Sequence, residues 1–252
     1  MSRSGHHEHD HLHLPIGATI IMPGSSYWIQ RSKRHLVLAA AAGALIDLVY
    51  RATPPPDVRH RLSMATAYAS LVFLAVSLGL GPLNVLRQRP NPVSFDLRRD
   101  IGIWAGILAI LHTSIGLTVH LRGRMWMYFF RTIHPAKLQN TPFGFANFTG
   151  LGASLSFLML LAISNDLSLR ALKPQRWKSL QRWTYAVFLL TGGHGIAYQW
   201  VEKRHAPWVL AFSAIMAAVV AAQFLGFVRF RRRLRAQALS AVPGMTEEGR
   251  PQ

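Results

Sequence analysis

Residues 101–121 read IGIWAGILAILHTSIGLTVHL, 21 positions without a single Asp, Glu, Lys or Arg and with two histidines, His112 and His120. At about 1.5 Å per residue such a helix reaches across the roughly 30 Å hydrocarbon core of a bilayer. Its apolar residues run on without the one-sided period of a soluble surface helix, so it expects apolar surroundings on every side.

Five further apolar blocks lie on either side of it: Leu36–Tyr50, Leu62–Leu83, Phe148–Ser164, Trp183–Val201 and Trp208–Val228. Pro54, Pro55, Pro56, Pro90, Pro92, Pro135, Pro142, Pro174 and Pro207 fall between blocks, where helix breakers belong. The expected fold is an all-α integral membrane protein, a six-helix transmembrane bundle occupying residues 31–235. A polar His-rich tail (1–30) precedes it and a polar tail (236–252) follows. No short apolar core with a cleavage site stands near the start, so no secretory signal peptide is expected.

Half of the 252 residues are apolar and 15% are charged, yet the formal net charge is +18. In a soluble protein that charge would suggest nucleic acid. Here the cations punctuate the gaps between apolar blocks, which fits membrane lipid and not nucleic acid. The segments on the amino-terminal side carry 17 Lys and Arg and the opposite segments nine. The positive-inside rule then places both termini in the cytoplasm and the chain in the inner (plasma) membrane.

With no cysteine, thiolate metal sites, iron–sulfur clusters and disulfides are excluded. Ten acidic residues leave little material for a paired-carboxylate active site. The tract GHHEHDHLHL (residues 5–14) is read as a disordered segment; it can collect transition metals but specifies no geometry.

Ionisable groups at membrane depth are costly and mark functional sites. His112 lies 13 residues beyond Arg99, and His194, in Gly192-Gly193-His194-Gly195, lies 12 beyond Arg182. Their helices run in the same direction, so the imidazoles sit at nearly one level. Ala105, Ala109 and Gly116 share the face of His112, and small residues leave a slot between helices. A flat macrocycle in that slot would take one axial nitrogen from each histidine to a haem iron. The competing reading is a pair of histidines hydrogen-bonded to neighbouring helices. A bare zinc or copper ion would want further ligands.

His120, near the outer boundary, is a lesser candidate for a second haem. Asp47 reads as a proton-relay or quinol-contacting group, or as an ordinary ion pair with a nearby arginine. Arg122, Arg124 and Arg131 are candidate outer-side partners for haem propionates, or lipid-facing anchors.

Four motifs in order, LGLGPLNVLR (78–87), LRRDIGIWAGILAILH (97–112), TGLGASLSFLMLLAISND (149–166) and RWKSLQRWTYAVFLLTGGHG (176–195), resemble the ferric-reductase-like transmembrane domain family. Within that family they are most similar to the haem-bearing membrane subunits of bacterial periplasmic methionine sulfoxide reductase systems. The likeness covers roughly Leu71 to Tyr198. It implies a bundle whose third and fifth spans give axial histidines, here His112 and His194, to b-type haem as an electron relay. Where those subunits read LHRLVY this chain reads LQRWTY, so Gln181 replaces a histidine. Trp126 and Leu180 stand where relatives with two stacked haems would need ligands. One haem b is therefore expected.

Larger relatives append flavin and nicotinamide domains, and no glycine fingerprint for either is present here. Electrons would come from membrane quinol or a separate reductase, which implies a protein redox partner and an oxidoreductase role. The alternative is a non-redox transporter or assembly factor using intramembrane His and Asp with the His-rich tail as a metal collector.

Overall fold

The computed structural model describes residues 25–54, 57–87, 95–121 and 124–240. Seven helices make up nearly all of it: α1 (Ser25–Ala52), α2 (Val58–Arg87), α3 (Phe95–Val119), α4 (Pro142–Ile163), α5 (Asp166–Gln181), α6 (Trp183–Val201) and α7 (Ala206–Ser240). A short 3-10 turn (Met125–Tyr128) and a two-stranded antiparallel hairpin, β1 (Phe130–Thr132) with β2 (Lys137–Leu138), join α3 to α4. The hairpin is the one departure from an all-α chain among the described residues.

Among the described residues five helices are long and apolar enough to cross a membrane: α1, α2, α3, α4 and α7. That is one fewer than the six expected. The sixth block coincides with α6, 19 residues long, whose apolar character is diluted by Thr191, Gly192, Gly193, His194, Gly195 and Gln199. The interior polar groups that make the segment interesting are the ones that lower its hydropathy. Helical ends also run past the expected tails. α1 starts at Ser25, inside the tail expected over residues 1–30, and α7 continues to Ser240, past residue 235. The extensions, SSYWIQ at the start of α1 and AQALS at the end of α7, continue each helix past its apolar block. The His-rich tract lies outside the described residues.

Helix α2 packs against α1, α3 and α7, and α4 packs against α6 and α3. The core between them is built from Leu74, Leu78, Leu108, Phe157 and Val187. Leu36, Leu48, Leu189 and Leu210 stand outward, as a lipid-facing surface requires. Because lipid offers no hydrogen bonds, polar side chains in the bundle bond to neighbouring helices. Ser70 Oγ donates to the Ala105 carbonyl (2.9 Å), Thr113 meets Ser154 (2.7 Å), and Tyr68 donates to the Trp208 carbonyl (2.7 Å).

Two features show how far this satisfaction goes. Pro82 lies inside α2 and has no N–H for the Leu78 carbonyl one turn back. Gln223 of α7 supplies the missing donor, its Nε2 standing 2.9 Å from that oxygen. Gly226 permits the approach, since a Cβ there would lie 2.8 Å from Pro82 Cβ. At the arginine-rich end, Asp100 of α3 is fully buried and receives Arg34 at 3.2 Å, with Arg31 at 3.6 Å and His35 at 3.5 Å, all from α1. That cluster ties the otherwise loosely packed α1 to the bundle.

Replacing Gln223 by Leu is expected to lower stability by roughly 1 kcal/mol, measured as unfolding of the detergent-solubilised protein. The double variant Gln223→Leu/Pro82→Ala regains most of the loss, because alanine has the backbone N–H that proline lacks and returns a donor to the Leu78 carbonyl.

Candidate functional site

The site begins with the two level histidines. His112 on α3 and His194 on α6 line one cavity of about 250 Å³, their ring centroids 6.0 Å apart and their planes at 75°. His112 Nδ1 stands 2.9 Å from the Ser63 carbonyl of α2, with the Ser63 hydroxyl at 3.2 Å. His194 Nδ1 stands 2.8 Å from the Ala146 carbonyl of α4. A carbonyl only accepts, so each Nδ1 carries the proton and each Nε2 keeps a lone pair. The two rings are thus held in one tautomer by backbone from two different helices, with the basic nitrogen of each left free.

Small residues make this possible. A Cβ at Gly150 would sit 2.5 Å from His194 Nδ1, so only glycine lets α4 approach the ring. At Gly195 a Cβ would lie 2.3 Å from the Phe212 ring of α7. His194 also stacks on Tyr198 (4.9 Å between centroids), whose hydroxyl donates to Asn147 Oδ1 at 2.7 Å. Asn147 Nδ2 in turn donates to the Tyr128 carbonyl at 3.2 Å.

The mouth of the cavity, at the end of the bundle away from Asp100, is a polar cluster. His120, at the end of α3, lies 2.9 Å from Glu202 Oε1. Arg204 pairs with Glu202 and also reaches His60 Nε2 at 2.9 Å. Tyr128, buried beneath the hairpin, receives the His120 N–H at 2.9 Å and donates to the Gly116 carbonyl at 3.1 Å, tying the outer connection to α3. Burial alone would raise the Glu202 carboxyl, but the His120 hydrogen bond and the positive charge of Arg204 outweigh it and hold the group below the usual carboxylate range.

The other candidates are placed differently. Asp47 is exposed and forms an i,i+4 ion pair with Arg51 at 2.8 Å, away from the cavity. Arg124 and Arg131 are exposed on the outer connection and do not line the cavity; the arginine that does is Arg204. Arg122 lies outside the described residues. Gln181 lines a separate cavity at the opposite end of the bundle.

Sequence reasoning did not single out Ser63, Ala146, Gly150 or Glu202. Carbonyl partners carry no side-chain signal. The Gly150-Leu151-Gly152 step in α4 is the visible trace of the close approach.

Against curated proteins, the chain is 29% identical over 169 residues to the protein-methionine-sulfoxide reductase heme-binding subunit MsrQ of Xanthomonas euvesicatoria pv. vesicatoria (strain 85-10). The match covers 67% of this chain and 69% of that protein. The chain is similar to MsrQ subunits. The MsrQ subunits of Xanthomonas oryzae pv. oryzae (strain MAFF 311018) and Xanthomonas axonopodis pv. citri (strain 306) match over the same shares at 28% and 27% identity. No protein-family model matches the MsrQ-like chain, and no solved structure matches it.

The Glu202 carboxyl sets a pH dependence. An unfolded Glu takes up a proton near 4.5, whereas the folded group resists until lower pH. Its contribution to stability is therefore full above pH 4.5 and disappears as pH falls through the depressed folded value. Thermal unfolding in detergent at about pH 7 and about pH 4 is expected to show a smaller acid loss for Glu202→Gln than for the parent protein.

Proposed function

We propose that the chain is a membrane electron-transfer subunit that binds one b-type haem between His112 and His194. The observation that carries the reading is the pair of imidazoles, each with Nδ1 engaged by a backbone carbonyl of an adjacent helix and Nε2 free, lining one cavity with centroids 6.0 Å apart. Two metal–imidazole bonds of about 2 Å, added to the offset of each nitrogen from its ring centre, come to roughly that separation.

The donor set fits a haem better than a bare ion. Among the described residues no group of three or more His, Asp or Glu could hold a metal, whereas a porphyrin brings four nitrogens of its own and needs two more. The cavity wall is small and apolar around the rings (Ala109, Gly116, Gly150, Ala153), and its rim carries Arg204 and His60. Arg204, rather than Arg124 or Arg131, is the cation suited to an anionic propionate there.

When bound, such a haem would supply one-electron exchange between ferric and ferrous iron, with His112 and His194 as the residues that would hold it. The chain's own residues do the rest. The Ser63 and Ala146 carbonyls fix the tautomer and orientation of each ligand. Phe157, Leu71 and Phe212 keep the cavity dry. The relatives' printed name makes them subunits of a protein-methionine-sulfoxide reductase. By that likeness the acceptor is a partner protein at the outer face, and the donor is membrane quinol or a separate reductase on the cytoplasmic side. The same reading takes α6 as a sixth span, placing both termini in the cytoplasm and the bundle in the inner membrane, in agreement with the excess of Lys and Arg on that side.

The test is the reduced-minus-oxidised visible spectrum of the purified protein expressed with ample haem. A b-type difference spectrum is expected, and loss of most of it in both His112→Ala and His194→Ala. A colourless parent protein, or a spectrum that both variants retain, would overturn the reading and favour a non-redox membrane function.

A further inference from the structure

The opposite end of the bundle holds a second cavity, of about 490 Å³, that the haem reading leaves unused. It lies between α2, α3, α4, α5 and the start of α6. Four cationic residues line it: Arg98 and Arg99 from α3, Lys178 from α5, and Arg182 at the α5–α6 junction. Among the described lining residues there is no Asp or Glu. Arg99 has a partner in Asp96, at 3.4 Å, and the other three leave the cavity strongly positive.

The site is built rather than incidental. Arg98 Nε donates to the Ser77 carbonyl of α2 at 3.1 Å, which holds its guanidinium against the cavity wall. The roof is α5, a basic helix that the sequence reading did not foresee. It is fixed to α4 by Trp177, buried, whose indole N–H donates to the Ile163 carbonyl at 2.9 Å. Beneath the cations the walls turn apolar, with leucines of α2 and α4 and the Phe157 ring.

A free inorganic anion would use the cations and gain nothing from that apolar floor. A neutral lipid would use the floor and leave the cations uncompensated. An amphiphile with an anionic head uses both, and its head would lie at the arginine-rich end of the spans, where headgroups of the bilayer stand. Basic pockets between spans on that side are suited to acidic lipid heads. We propose that this cavity binds the headgroup of an acidic phospholipid, its acyl chains continuing along the apolar wall into the bilayer. The inference does not depend on the haem reading and can fail without it.

The experiment is native mass spectrometry of the full chain in detergent. The probes are phosphatidylglycerol, phosphatidylcholine of the same acyl chains, and inorganic phosphate, with unfolding temperature as the control for folding. The expected result is one retained phosphatidylglycerol, no retained phosphatidylcholine, no competition by phosphate, and affinity falling roughly fivefold for each charge removed in Arg98→Gln, Lys178→Gln and Arg182→Gln. If a variant with all three substitutions does not fold, Lys178→Gln alone, at an exposed position, reads the same effect. Equal retention of phosphatidylcholine, unchanged retention in the variants, or displacement of the lipid by phosphate would overturn the assignment.

Discussion

A polar side chain in the hydrocarbon region of a membrane has no water to turn to, so it must find its hydrogen-bond partner in the protein. For His112 and His194 that requirement fixes everything around them. Each ring gives its Nδ1 proton to a carbonyl on a neighbouring helix, which draws α3 against α2 and α6 against α4. Helix α4 can come that close only because residue 150 is glycine. What the bond leaves over is an unprotonated Nε2 on each ring, on one shared cavity. The bond that satisfies each histidine within the bundle also fixes its tautomer and orientation.

The same accounting runs through the rest of the bundle. Pro82 withdraws a donor from α2, and Gln223 of α7 returns one to the same carbonyl. Asp100 is buried at the arginine-rich end and is matched by cations of α1. At the opposite end, Glu202 is matched by His120 and Arg204. The charged pairs named above therefore stand towards the two ends of the bundle, while between them lie the imidazoles, hydroxyls such as Ser70 and Thr113, and the amides of Asn147 and Gln223, each with a partner in the protein.

The spans are legible in the sequence because their signal is local: a run of apolar residues of bilayer length needs no knowledge of its neighbours. The block Trp183–Val201 has the same limits as α6 in the structure. The level placement of His112 and His194 also follows from counting residues between basic flanks, and the rings do come together. Other features are hidden because they are relations between distant segments. Ser63 and Ala146 contribute only carbonyl oxygens, which every residue has. Glu202 sits in what reads as a loop, and only the folded chain brings it to His120, 82 residues earlier. Helix α5 escapes a sequence reading because its composition is that of a basic connection, and its helicity depends on an Asn165 cap and on Trp177 docking against α4. Arg124 and Arg131 draw attention by position along the chain, but the cation at the cavity rim is Arg204.

The central claim is that His112 and His194 are the two axial ligands of a single haem. Their ring planes stand at 75° to one another, and near-perpendicular imidazoles on ferric iron produce a low-spin state with a strongly anisotropic electron paramagnetic resonance spectrum. Low-temperature spectra of the oxidised protein in detergent test this directly. The account predicts that strongly anisotropic low-spin signal as the main iron species. A predominantly high-spin ferric signal, or purified protein that carries no iron, would contradict it.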